Sequence, residues 1–427
     1  MMTNAFEWKP FSPLAKETLA DSTAWLNIAV GSVRSGKTIV MITRFIEFIL
    51  TSPNTNFMLC GKTLITLERN VVRPMKAMLR SIGITVEQNN FLHELYFEDN
   101  VVSLFGVGKK GDEEKIQGST FAGTLIDEGT VVPEEVFKMI LSRNSEEGAM
   151  IFITCNPANP NHFLYKEYLT NDKLISEGKL RSWNFTLDDN YTLSDEYVEN
   201  LKASYPEDSL FYKRYIQGLW VSGQGAIYVH FNSDNKYSED RPLEYYDNLA
   251  FGSDYGASST TCFNLVGTKY FDDHVEYDII DEGGHDAQQE GSSLTDEEVV
   301  DMIVEMQDRY GLDERTVFYV SHDASSLEAS LLKRRKTDLR LSVEKFTPDV
   351  MACISRIGTL FYDNYLRIHT RCVNTIRSVE GYEWDSSAAR RGEDRPLKQD
   401  DHYCDSIRAP LMVDVMGRRI VANVIHL

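Results

Sequence analysis

The sequence predicts an α/β protein of two domains in series, the first built around a mainly parallel sheet. Three observations predict it. Short β-rich apolar runs alternate with helical patterns through the first half, the order that a parallel sheet with crossover helices requires. An uncharged, glycine-bearing segment, 221–233, then interrupts the pattern. Beyond it the β-rich runs restart with a different charge balance, and 427 residues suffice for two or three domains with sizeable cores.

In order along the chain, WLNIAV (25–30) reads as a strand followed by a helix from Gly36, and NFMLCG (56–61) as a strand followed by a helix to about Arg80. ELYFEDNVVSLFGV (94–107) reads as a hairpin turning at Asp99-Asn100. FAGTLID (121–127), a helix after Pro133, AMIFIT (149–154) and a helix near 161–169 complete the alternation. Residues 194–217 read as two short amphipathic helices ending at Gly218. The second half restarts with NLAFGSD (248–254), TTCFNLVG (260–267), HVEYDIID (274–281) and TVFYVSHD (316–323). Thr295 to Glu298 forms a capping-box pattern opening a helix to about Tyr310, and the chain after Ser325 reads as mainly helical. The expected domains are a core over 1–190, a helical lid or linker over 191–229, and a second domain over 230–427.

With 65 Asp+Glu against 44 Lys+Arg, the formal net charge is −21, which excludes a protein that coats nucleic acid by bulk attraction. Counted by zone, residues 1–220 carry net −6, 234–328 net −19 and 329–427 net +4. The acidity sits in one block, so any contact with nucleic acid has to be local. The six cysteines form no CxxC pair and read as reduced thiols. No apolar run reaches the roughly 18 residues of a membrane span, and no secretory leader is apparent at the start, so no membrane partner is expected.

Gly31-Ser32-Val33-Arg34-Ser35-Gly36-Lys37-Thr38 matches GxxxxGK[ST] at every fixed position, after a strand and before a helix. The glycines let successive backbone N–H groups curl around phosphate oxygens, and the helix N-terminus adds positive potential. Lys37 would pair with the β/γ-phosphates and the Thr38 hydroxyl would ligate Mg²⁺. About ninety residues on, TLIDE ends an apolar strand on Asp127, placed for Mg²⁺, and Glu128, suited to deprotonate an attacking water. Thr154, Cys155 and Asn156 end the next strand and would sense the γ-phosphate; a plain Asn-Pro turn is the alternative. Arg34 would neutralise transition-state charge in cis, or Arg143 would do so from a neighbouring subunit.

A second constellation lies in the other half. Asp254 and Asp323 each end an apolar strand, and their carboxylates would converge on two divalent metals if those strands are neighbours. His402 and Asp405, three residues apart, would face the same ions from one side of a helix. Oxygen-rich ligands favour Mg²⁺ or Mn²⁺; Asp400, Asp401 and Glu282 are further candidates, each also readable as solvated surface. Around this site cluster Lys333, Arg334, Arg335, Lys336, Arg340, Lys345, Arg390, Arg391, Arg395 and Lys398, candidates for phosphate-backbone contact.

GSVRSGKT, LIDE and ITCNP in the first half, YIQGLWVSGQGAIYVHF at the junction, and FGSDYG, VSHDAS and RPLKQDDHYCDSIR in the second resemble the large terminase subunit of tailed bacteriophages. The resemblance spans nearly the whole chain. It implies an N-terminal P-loop ATPase that translocates double-stranded DNA and a C-terminal ribonuclease-H-like nuclease that cuts concatemers with two metals. It also implies a portal protein and a small terminase subunit as partners, a homo-oligomeric ring on the portal formed from isolated monomers, and action in the host cell cytoplasm. On the matching positions it assigns Lys37 and Thr38 to nucleotide and metal, Asp127 to Mg²⁺, Glu128 to hydrolysis, Arg34 to the loop arginine and Thr154 to Asn156 to coupling. Asp254, Asp323 and Asp405 match the nuclease triad, with His402 as a further ligand. One departure stands out: Phe11-Ser12-Pro13-Leu14 occupies the place of an adenine-recognising glutamine. A repair or restriction ATPase–nuclease would use the same parts, and a catalytically dead docking module is a third reading of the second half.

Overall fold

A computed structural model describes residues 6–52, 55–256, 260–287, 292–347 and 349–413. The chain divides into two compact units, one formed by residues 1–222 with 389–393, the other by 223–388 with 394–427. The division falls within the uncharged segment, and residues 191–222 belong to the first unit.

The first unit holds an eight-stranded sheet of β1 (Leu26–Gly31), β2 (Asn56–Gly61), β3 (Glu87–Asn89), β4 (Glu94–Phe97), β5 (Asn100–Gly106), β6 (Gly123–Ile126), β7 (Met150–Cys155) and β8 (Leu180–Phe185). Their order is β3-β4-β5-β2-β6-β7-β1-β8, and all neighbours from β5 to β8 run parallel. Strands covered on both faces read as unbroken apolar runs, and β1 and β6 are buried along their whole length. Alternate residues feed two cores. Leu26, Ile28 and Val30 join Ile151, Ile153 and Phe137 on one side, while Ala29 joins Phe45, Phe57, Phe152 and Phe185 on the other. Because six strands point the same way, the ends of β1, β2, β6 and β7 share one sheet edge, where an open α/β sheet binds ligands.

The hairpin turns one residue earlier than expected, with Phe97 paired to Asn100 and Glu98 in the left-handed region at φ 50°. Asn100 is drawn into the strand because its buried amide bonds Thr55 N and Ile49 O.

The second unit holds a seven-stranded sheet of β9 (Lys236–Tyr237), β10 (Asn248–Asp254), β11 (Thr260–Tyr270), β12 (Val275–Asp286), β13 (Val317–Val320), β14 (Ser342–Lys345) and β15 (Leu366–His369), in the order β14-β13-β10-β11-β12-β15-β9. An antiparallel meander, β10-β11-β12, is extended by β13 parallel to β10 and β14 parallel to β13, the layout expected of a ribonuclease-H-like domain. Thr295 caps the helix Asp296–Arg309 through the anticipated capping box. The chain after Ser325 is less helical than expected: β14 and β15 lie within it, each four residues long and too short for a two-residue period to stand out.

Candidate functional site

β1 delivers the phosphate loop into the helix Lys37–Leu50. The turn needs its glycines. Gly31 has φ +142°, and a Cβ there would lie 1.9 Å from Phe185 O; Gly36 caps the helix at φ +88°. Lys37 is buried, and its ammonium lies within hydrogen-bond distance of four acceptors, Gly31 O at 3.1 Å, Ser32 O at 2.5 Å, Ser35 Oγ at 3.3 Å and Asn156 Oδ1 at 3.1 Å, which share its three N–H groups. Burial draws its pKa down to about 8, against the pull of Cys155, Asp127 and Glu128. Two donors of the loop are already engaged: Ser32 Oγ bonds Ile216 O and Val33 N bonds Tyr215 O, so the segment after Phe211 braces the loop. Arg34 is exposed at φ 60°, with its carbonyl accepting from Asn190 Nδ2 at 2.6 Å.

Asp127 follows β6 beside this loop. Its Oδ1 accepts from Thr154 Oγ1 at 2.8 Å and lies 3.5 Å from Thr38 Oγ1. Those oxygens are the hard donors Mg²⁺ prefers, so Thr38 and Asp127 fit the ion and would hold it. When bound, Mg²⁺ neutralises phosphate charge. Glu128 stands in the left-handed region at φ 58°, where a side chain is strained, and its N–H bonds Thr154 Oγ1 at 3.3 Å. Burial, with the adjacent Asp127 charge, raises its carboxyl above the usual range, the direction a general base needs. Lys62 and Arg69 oppose that rise, and the Asn70 side chain hydrogen-bonds Asp127. None of these three carries a sequence motif; only the β2–β6 pairing places the chain after β2 beside Asp127. Cys155 is buried, with its thiol pushed up to about 12, so its contribution is packing. Arg143 ends the helix Glu134–Arg143 and is half-buried.

A cleft beside Gly36 is lined by Phe6, Trp8, Phe11, Ile39, Asn190 and Tyr191, among others. Aromatic walls with an amide suit a planar heterocycle. The segment that lacks the expected glutamine thus supplies ring faces.

In the second unit, β10 and β13 are parallel neighbours, which brings Asp254 and Asp323 to the same sheet edge. His402 Nδ1 lies 2.7 Å from Asp254 Oδ2, and this bond raises the imidazole pKa. Asp405 faces cations instead: Lys398 Nζ at 3.0 Å and Arg408 Nη2 at 2.5 Å. Burial raises the Asp405 carboxyl, with Arg408 and Lys398 opposing. Asp323 is exposed, and a hydrogen bond from Ser321 lowers its carboxyl. Among the described residues no group of three or more His, Cys, Asp or Glu side chains is gathered closely enough to hold a metal ion. Glu282 is bound by Asn374 N, Thr375 N and Thr375 Oγ1, a cap on the helix Val373–Glu380. Asp401 lies 2.8 Å from Lys398, while Asp400 turns the chain at φ 51°.

The family model for the N-terminal part of the T4likevirus-type terminase large subunit matches residues 28–233. The large terminase of a thermophilic bacteriophage is 31% identical, superposes with a TM-score of 0.81, and the match covers 97% of this chain and all of that one. The chain belongs to the large terminase family. Two further structures of the same thermophilic phage protein, each at 31% identity and a TM-score of 0.79, are complexes with ADP, over 96% of this chain and 100% of that one, and with ATP-γ-S, over 94% and 98%. No match was found among curated proteins.

As a large terminase, the chain is a phage protein with an ATPase and a nuclease domain, and its acidic block acquires a structural meaning. Of the cations anticipated to meet DNA, Lys333 pairs with Glu297, Arg334 with Glu297, Asp301 and Asp338, Arg340 with Asp308, and Lys345 with Glu328. Lys398 is held by Asp401 and Asp405, and Arg395 by Asp385. Most of the acids that meet Lys333 to Lys345 lie in 234–328, so the folded unit compensates charges that the sequence keeps apart. Arg335 and Lys336, just past the helix Ser325–Arg334, are exposed.

Proposed function

We propose that this protein is the motor subunit that hydrolyses ATP to drive double-stranded DNA into a procapsid and cuts concatemeric DNA with its C-terminal domain. One observation carries the ATPase half: Lys37, Asn156, Asp127, Thr154 and Glu128 meet at one sheet edge through bonds of 2.8–3.3 Å. The loop amides and Lys37 bind the triphosphate, Thr38 and Asp127 hold Mg²⁺, and Glu128 takes the proton of the attacking water. Thr154 and Asn156 join the carboxylates to the lysine, so a change at the γ-phosphate reaches β7. Arg34 is the cis candidate for transition-state charge, Arg143 the candidate in trans. The nucleobase lies in the cleft of Trp8 and Tyr191, beside Gly36. The family supports a portal protein and a small terminase subunit as partners, a ring on the portal and action in the host cytoplasm. Among the described residues no helix is long and apolar enough to cross a membrane.

The nuclease half rests on the shared edge of Asp254 and Asp323 and on His402 beside Asp254. A docking module is the second reading, favoured by the cations on both oxygens of Asp405. ATPase and plasmid-nicking assays on Lys37→Ala and Asp323→Ala separate the possibilities. The expected result is loss of ATPase in the first and loss of nicking in the second. Nicking that survives Asp323→Ala refutes the nuclease assignment, and ATP turnover that survives Lys37→Ala refutes the ATPase assignment. Wild-type protein that turns over ATP but never nicks DNA with Mn²⁺ establishes the docking reading.

A further inference from the structure

The chain after β2 runs as one continuous helical segment, 64–81, with a π turn over Glu68–Val72 between the α-helices Leu64–Leu67 and Arg73–Ser81. Leu67, Val71, Val72, Met75, Met78 and Leu79 bury one side of it in the sheet core. The opposite side carries Arg69, Arg73, Lys76 and Arg80, spaced four, three and four residues apart and therefore stacked along one face. Glu68 is the sole acidic residue in the segment, so it carries net +3 within a region (1–220) of net −6. The row is mostly open to solvent: the Arg73 side chain is 72% exposed and only 3.9 Å from Glu68 at its nearest, while Arg69 and Arg80 are exposed. Lys76 donates one bond, to Gln88 Oε1, and keeps two further N–H donors by its chemistry.

We propose that Arg69, Arg73, Lys76 and Arg80 form a contact surface for the phosphate backbone of duplex DNA on the ATPase unit. The row spans about 16 Å of helix, and DNA presents one phosphate per strand about every 3.4 Å of axis, so four cations can follow one strand. Charge complementarity selects this occupant, since a row of cations with no apolar centre has little to offer a protein core interface. The contrast with the C-terminal unit sharpens the choice: Lys333, Arg334, Arg340 and Lys345 all have acidic partners closer than 3 Å. The same segment reaches the chemistry. Asn70, whose Oδ1 accepts from Arg69 Nε at 3.1 Å, also bonds Asp127, and the Arg69 charge acts on Glu128, so the row begins at a residue that the carboxylates feel. The π turn, a local irregularity that recurs at functional sites, is the part of the segment that carries both residues.

This surface rests on the DNA-moving function proposed above, and one experiment separates the two. Full-length wild type and the triple variant Arg73→Ala/Lys76→Ala/Arg80→Ala are titrated against a fluorescein-labelled 30-base-pair duplex by anisotropy, in EDTA, from 50 to 200 mM NaCl. The expected result is binding weakened tenfold or more at low salt, and a log K versus log[salt] slope shallower by about 2–3, with melting temperature and mant-ATP binding as in wild type. Equal affinity and slope in the two proteins overturns the surface and leaves the motor function standing. A wild type that binds no DNA overturns both. If the triple variant melts early, the single reversal Arg73→Glu at a solvent-exposed side chain takes its place, and weakened or unchanged DNA binding decides the proposal in the same way. Loss of self-association in sedimentation, with DNA binding intact, overturns the proposal in favour of a contact between copies of the chain.

Discussion

Lys37 Nζ and Asn156 Oδ1 lie 3.1 Å apart, so the phosphate loop and the end of β7 are joined through a cation that a γ-phosphate would compete for. A hydrogen bond to a charged group is worth about 1.5–3 kcal/mol. Asn156→Ala is therefore expected to lower kcat for ATP roughly tenfold or more, with ADP affinity changed by less than about threefold. Steady-state hydrolysis and ADP calorimetry check it; an unchanged kcat would remove Asn156 from the coupling path.

Thr154 holds Asp127 and the Glu128 amide with a single buried hydroxyl. Thr154→Val keeps the shape but leaves both groups without that partner, a loss of about 1–3 kcal/mol of stability by analogy with other buried bonds. Urea unfolding with a cofactor-free protein measures it, and Thr154→Ser is expected to recover most of the ATPase rate. A valine variant as stable and active as wild type would contradict this role.

The aromatic cleft makes a separate prediction. Removing a ring that covers a base typically costs about 1–3 kcal/mol, so Trp8→Ala should raise KM for ATP by about tenfold with kcat less affected. Inorganic tripolyphosphate, which has no base, should bind both proteins alike. Equal KM values would move the nucleobase elsewhere.

Lys398 bridges Asp401 and Asp405 at 2.8 and 3.0 Å. Its ammonium opposes any cation at Asp405, so Lys398→Ala is expected to tighten Mn²⁺ binding to the full chain by about three- to tenfold. Calorimetry in the absence of DNA reads this independently of cleavage. No change in Mn²⁺ affinity would mean that Asp405 takes no part in metal binding.

Acid should weaken the C-terminal unit. Hydrogen bonds from Arg340, Arg334 and Lys333 hold Asp308, Asp338 and Glu297 below the ordinary carboxylate values of 3.8 for Asp and 4.5 for Glu. A depressed folded pKa contributes stability that is present above the unfolded value and is lost as pH falls through the folded one. Melting followed by calorimetry should therefore drop below about pH 4.5, and more steeply at low salt than in 1 M NaCl, where exposed pairs are screened. A flat profile from pH 6 to 3 would show that these pairs contribute nothing.

The phosphate loop, Asp127-Glu128 and the strands that carry them were legible in the sequence because their chemistry is local: eight adjacent residues set the loop, and an apolar run ending in two acids sets the strand end. The same holds for the terminase resemblance and for Asp254 at the end of β10, while Asp323 lies in the turn after β13, which ends at Val320. What the sequence could not contain was partnership. Lys62, Arg69 and Asn70 carry no motif, yet sheet order brings them to the carboxylates of residues 57 to 66 positions later. The net −19 of residues 234–328 and the cations after them look like opposed blocks on paper, and close to 2.6–2.7 Å pairs in the folded unit. Residue type and spacing along the chain determine which groups exist and which local turns they make. Which charges meet, which stay free for a phosphate backbone and which cation sits on Asp405 depend on strand order and helix packing, because Coulomb and hydrogen-bond energies act over a few ångströms of space.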